Sequence, residues 1–122
     1  MAFGNPYGEI WKAEDVNFWA GRFSELGIKN ILLSDTTGTG TVAQIEELFR
    51  ETPAKYSEVD FGSHFHNRYE DSYQKLKAAY NNGCRRFDSA IKGIGGCPMA
   101  KDELIGNMPT EQVINFMAHE KI

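Results

Sequence analysis

The sequence predicts an α/β protein with parallel strands, organised as four β-α units, the (β/α)4 half of a TIM-type (β/α)8 barrel. Three observations predict it. Short β-prone runs begin at residues 1, 30, 59 and 86, one βαβ step apart. Amphipathic helical patterns fill the gaps, and strict strand–helix alternation implies a parallel sheet. The polar and glycine-rich stretches all follow strands, the edge at which barrel active sites are built. A full barrel needs about 250 residues, and this chain has 122. Residues 1–122 are therefore read as a single partial domain. A four-unit open sheet of flavodoxin type is the structural rival.

The elements follow in order. The first strand is expected at Met1–Gly4, the second at Asn30–Ser34 with Ile31, Leu32 and Leu33 in succession, the third at Val59–Phe65 and the fourth at Arg86–Ala90. Continuous apolar runs suit strands covered on both faces. The first helix is expected over Glu14–Leu26, with Val16, Trp19, Ala20, Phe23 and Leu26 as its buried stripe and Gly27 as its stop. The second starts at Thr41, where Thr41 and Gln44 resemble a capping box. Val42, Ile45, Leu48 and Phe49 form its buried face, and Pro53 closes it. The third runs from Tyr69 to Tyr80 with Tyr73, Leu76 and Tyr80 inward. The fourth begins near Pro109, with Val113, Phe116 and Met117 as its stripe.

Composition narrows the function. A net charge of −4, with lysines and arginines spread along the chain, disfavours nucleic acid as a partner. No apolar run approaches the roughly 18 residues of a membrane span, and the N-terminus has no signal-like pattern. The two cysteines, Cys84 and Cys97, do not read as a disulfide framework, so cytoplasm is the expected compartment. Cys84 reads as a small buried hydrophobe.

Three strand–helix loops carry candidate chemistry. Asp35-Thr36-Thr37-Gly38-Thr39-Gly40-Thr41 could admit an anion to backbone N–H groups, although a capped turn explains it as well. In His64-Phe65-His66 the two imidazoles share one face of a strand, an arrangement suited to a divalent metal. The loop Lys92-Gly93-Ile94-Gly95-Gly96-Cys97-Pro98 can approach a ligand closely and carries a thiol at its mouth. Asn107 offers a carbonyl oxygen that could complete a metal shell.

These motifs, together with Phe3-Gly4-Asn5-Pro6-Tyr7-Gly8, Ser34-Asp35-Thr36-Thr37-Gly38 and Gly106-Asn107, resemble those of the 3-hydroxy-3-methylglutaryl-CoA lyase family of metal-dependent barrel lyases. The resemblance spans nearly the whole chain in family order, aligning it with barrel units 5 to 8. It implies that His64, His66 and Asn107 ligate Mg2+ or Mn2+, that Cys97 is a mobile-loop acid–base residue, and that Asp35 lies beside the metal and substrate. Thr36, Gly95, Gly96 and Glu111 align with substrate-binding positions. The implied reaction cleaves a 3-hydroxy acyl-CoA to acetoacetate and acetyl-CoA. The family's metal-binding Asp on the first strand and its C-terminal CoA-binding segment have no counterpart here, so the isolated chain is expected to be inactive. It is expected to pair with a second copy or with an N-terminal half. The chain also departs from the family where Asn67-Arg68-Tyr69-Glu70 stands in place of Asp-Thr-Tyr-Gly, and where Met99 replaces an aromatic. Two further readings compete. One is a non-catalytic half-barrel, either an association module or a truncated gene product. The other is a metal protein using His64, His66 and Cys97.

Overall fold

The computed structural model describes residues 1–102 and 104–122. Helices α1 (Ala13–Glu25), α2 (Val42–Lys55), α3 (Ser72–Asn81) and α4 (Thr110–Glu120) alternate with strands β1 (Asn30–Asp35) and β2 (Asp60–Asn67), and a short β3 (Gly106–Asn107) precedes α4. β1 and β2 pair in parallel, from Asn30 opposite Asp60 to Asp35 opposite Phe65. The alternating α/β order and the parallel pair are as expected. The outer strands are weaker than expected. Met1–Gly4 forms no strand, although the Ala2 N–H donates to the Ser34 carbonyl at 2.7 Å. The run Arg86–Ala90 is reduced to isolated parallel bridges, Ser63 with Phe87 and Ala90 with Pro109. β3 pairs antiparallel to the end of β2, His66 opposite Asn107, a pairing that the strand–helix alternation did not suggest.

The helices show why local pattern and burial part company. α2 starts as expected: the Gln44 N–H donates to the Thr41 hydroxyl at 3.3 Å and the Thr41 N–H to Gln44 Oε1 at 2.9 Å. Ile45, Leu48 and Phe49 are completely buried. Pro53 does not close the helix, which continues to Lys55. Proline there removes a single backbone donor near the end, and the Tyr56 N–H still finds the Thr52 carbonyl at 3.1 Å. The third helical segment divides into a 3₁₀ turn, Tyr69–Asp71, followed by α3. The rings of Tyr73 and Tyr80 meet Phe116 of α4 edge-on, with centroids 5.6 and 5.7 Å apart. Phe65 is packed edge-on between Phe3 and Phe49.

α1 departs most. Its end is a two-bond Gly cap, with the Ile28 N–H on the Phe23 carbonyl and the Gly27 N–H on that of Ser24. The expected stripe is not its buried face. Ala13, Asn17 and Ala20 are buried, while Trp19, Phe23 and Leu26 are 59, 42 and 77% exposed. The buried stripe is set by what stands opposite. α1 packs on α2 through its small residues, where the Tyr56 hydroxyl donates to the Asn17 carbonyl at 2.8 Å. Among the described residues nothing closes over the aromatic side.

Candidate metal centre

β2 places His64 and His66 on one pleat face, and their Nε2 atoms converge to 3.3 Å. Two nitrogen donors about 2.1 Å from a common cation stand roughly 3.0–3.4 Å apart for octahedral or tetrahedral angles. The spacing therefore fits a shared divalent ion. Asp88 fixes the first ring: its Oδ2 lies 3.1 Å from His64 Nδ1, so the Nε2 of His64 is the nitrogen left for a ligand. His66 is buried, and its Nδ1 has no partner. Burial holds its pKa below the usual imidazole range; the neighbouring His64 adds to this and the charge of Asp35 opposes it. A neutral imidazole is the form that ligates metals.

Asn107 reaches the same place from β3. Its Nδ2 donates to the Ile94 carbonyl at 2.9 Å, which leaves Oδ1 as the free end of the amide. His64, Phe87, Asp88, Ser89, Ala90 and Asn107 line one cleft of about 430 Å³ at this edge. A larger cleft of about 600 Å³ lies between α1 and β1, and its walls hold neither imidazole nor thiol.

The other expected site residues lie outside the lining of this cleft. Cys97 is partly exposed on its loop and does not line the cleft. Among the described residues no three His, Cys, Asp or Glu side chains cluster as a ligand set, so Cys97 is not grouped with His64 and His66 in this structure. Asp35 is 1% exposed, and its charge is felt at His66. Its Oδ2 accepts from Lys75 Nζ at 2.7 Å and from the Gly40 N–H at 3.0 Å, while Oδ1 has no partner. On β1 it shares a face with Leu33 and stands opposite Phe65, on the helix-covered side of the pair. Thr36 lies in the turn that follows. The Gly95 carbonyl accepts from the Asn107 N–H at 3.0 Å. The Glu111 carboxylate accepts from the Lys92 N–H at 2.9 and 3.2 Å, so it braces the loop from α4. None of Thr36, Gly95, Gly96 and Glu111 lines the cleft.

Two residues of consequence were not singled out from sequence. Asp88 lies two positions from Arg86 and Ala90 on one pleat face, and an acid at the end of a strand run was its only signal. Lys75 falls among the buried positions Ser72, Leu76 and Ala79 of α3, a sign that it is buried and paired.

Such a structure, with a parallel strand pair among alternating helices and paired imidazoles at a strand end beside a glycine-rich loop, defines an α/β protein of barrel type. The family model described as HMGL-like matches residues 1–122, and the chain belongs to that family. It is 34% identical over 115 residues to (R)-citramalyl-CoA lyase of Chloroflexus aurantiacus, covering 94% of this chain and 36% of that protein. It is 31% identical over 118 residues to the cytoplasmic 3-hydroxy-3-methylglutaryl-CoA lyase of Danio rerio, covering 97% and 35%. An HMG-CoA lyase structure from Acinetobacter baumannii, in complex with coenzyme A and 3-methylmalate, superposes with a TM-score of 0.88 at 34% identity, covering 99% of this chain and 39% of that one. The chain thus spans little more than a third of the length of the curated relatives it matches. No helix among the described residues is long and apolar enough to cross a membrane.

Proposed function

We propose that this chain supplies part of the active site of a divalent-metal-dependent carbon–carbon lyase that cleaves a 3-hydroxy acyl-CoA. 3-Hydroxy-3-methylglutaryl-CoA, giving acetoacetate and acetyl-CoA, is the first candidate substrate. The observation that carries this reading is the convergence of His64 and His66 Nε2 at 3.3 Å, with Asp88 bracing the first ring. Membership of the HMGL-like family and relatives named for two acyl-CoA lyases support it.

His64, His66 and Asn107 would hold Mg2+ or Mn2+. When bound, such an ion polarises and orients the hydroxyl-bearing substrate. The chain's own groups do the rest. Asp88 keeps the His64 ring from turning, and the Ile94 carbonyl holds the Asn107 amide with its oxygen outward. A base accepts the substrate hydroxyl proton, the C–C bond breaks to give a ketone and a thioester enolate, and the Cys97 thiol donates its proton to the enolate carbon, the thiolate then being reprotonated by the conjugate acid of that base or by solvent. That step requires the loop to carry Cys97 to the cleft. Lys75 neutralises Asp35 behind the site.

Two imidazoles and one amide lack the carboxylate a hard cation favours. The chain is accordingly the (β/α)4 portion of a barrel, units 5 to 8, completed by an N-terminal half or by a second copy, and inactive alone. The exposed face of Trp19, Phe23, Leu26 and Leu32 suits such a contact and also suits the second reading, a non-catalytic association module. The test is consumption of 3-hydroxy-3-methylglutaryl-CoA and citramalyl-CoA with Mg2+ or Mn2+, by the chain alone and by the chain co-expressed with the N-terminal part of the Chloroflexus relative. The proposal expects no turnover alone and His64-dependent turnover in the pair. Full turnover by the lone chain would end the partial-site reading. Silence from a pair that co-purifies would leave the association module.

A further inference from the structure

We propose that Arg68 is a latch, a positioning residue that holds the Cys97-bearing tip of the glycine loop against the exit of β2. The loop has two mechanically different parts. Its stem, residues 91–96, is fastened at several points. The Lys92 N–H is held by Glu111, the Ile94 carbonyl by Asn107 Nδ2, and the Gly95 carbonyl by the Asn107 N–H. The stem and β3 are in direct backbone contact: a Cβ at Gly93 would stand 2.8 Å from the Asn107 carbonyl oxygen, and one at Gly106 2.8 Å from that of Gly93.

The tip, Cys97 to Asp102, has no such fastening. Its own bonds are local: the Ala100 N–H on the Cys97 carbonyl, the Ile105 N–H on that of Asp102, and the Leu104 N–H on Asp102 Oδ1. Among the described residues a single hydrogen-bonding partner reaches the tip from another element, and it is Arg68. Its Nε donates to Asp102 Oδ2 at 2.6 Å, and its Nη2 meets the same oxygen. Arg68 follows β2 by one residue, two positions beyond His66, so the latch ties the thiol loop to the strand that carries the paired imidazoles. It also falls where the chain departs from the family's Asp-Thr-Tyr-Gly. A planar guanidinium with two donors on one carboxylate holds orientation better than a point charge. The pair is partly exposed, 45 and 29%, so it biases the tip without locking it.

Backbone hydrogen exchange of the whole chain, read by mass spectrometry, tests this together with iodoacetamide labelling of Cys97. Buried Cys84 serves as an internal control for the fold. In Arg68→Ala, exchange across residues 97–102 should rise about two- to fivefold, the range a partly exposed ion pair supports. Residues 91–96 should not change, and Cys97 labelling should change in rate by a similar factor. The double reversal, Arg68→Asp with Asp102→Arg, should bring exchange across residues 97–101 back towards the wild-type level, ahead of either single reversal, while the Leu104 N–H stays without its Asp102 acceptor. Unchanged exchange at the tip, or a double reversal no better than either single one, would overturn the proposal. If Arg68→Ala exposes Cys84 and so reports unfolding, Asp102→Asn decides. It keeps the acceptor for Leu104 and removes only the ionic contact, and the same two outcomes apply.

Discussion

α1 and α2 have nearly the same length and the same kind of apolar stripe, yet only one of them is buried by it. In α2, Ile45, Leu48 and Phe49 are closed off beneath β2 and α3. In α1, Trp19, Phe23 and Leu26 face outward, and the helix docks through Ala13, Asn17 and Ala20. Periodicity states which residues a helix can bury. Whether it does so depends on a neighbour. The α2–α3–α4 side is therefore a closed core, and the α1–β1 side leaves apolar side chains open to solvent.

Removing a charge from the closed side should have the largest effect. Lys75 and Asp35 are 4 and 1% exposed, and Lys75→Ala would leave Asp35 buried with only the Gly40 N–H. A loss of about 3–5 kcal/mol in urea unfolding is expected, since breaking one partner of a buried pair costs that much. Leu48→Ala, a cavity in the same core, should cost about 2–5 kcal/mol. Cys84 gives a smaller, pH-dependent effect. Burial is the main reason its pKa is raised, to about 11. The folded state thus holds the thiol proton over a range in which the unfolded chain has released it. Stability from this group is complete below about pH 9 and is lost as the pH climbs towards 11, and Cys84→Ala should flatten that part of the curve. On the open side, Phe23→Ser should change stability by less than about 0.5 kcal/mol, the usual scale for exposed positions. Its visible effect should be reduced self-association in sedimentation. A core-sized loss at Phe23 would erase the contrast between the two helices.

Much of this was legible in the sequence. The α/β alternation, the parallel pair, the Thr41–Gln44 capping box and the shared face of His64 and His66 each follow from local rules of spacing, and the structure has them. The outer strands were not legible as weak, because Met1–Gly4 and Arg86–Ala90 look as β-prone as Asn30–Ser34. A strand is fixed by continuous pairing on its edges, and those two make only isolated contacts, Ala2 with Ser34 in the first and Phe87 with Ser63 and Ala90 with Pro109 in the second. Asp35 and Glu111 were expected near the reacting groups. A carboxylate's spacing does not reveal its partner, and here Lys75 and the Lys92 N–H hold them. Asp88 escaped notice because its role depends on the His64 ring, 24 residues away in the chain.

The central claim is that His64 and His66 act as a pair toward one divalent cation. Titration of the chain with Co2+, followed by its d–d absorption, tests this directly, since imidazole donors suit that ion. The account predicts one Co2+ per chain, lost in His64→Ala and in His66→Ala, and retained in His119→Ala, the third histidine, which lies on α4 against Tyr73. Binding that survives loss of both His64 and His66, or that disappears with His119, would contradict it.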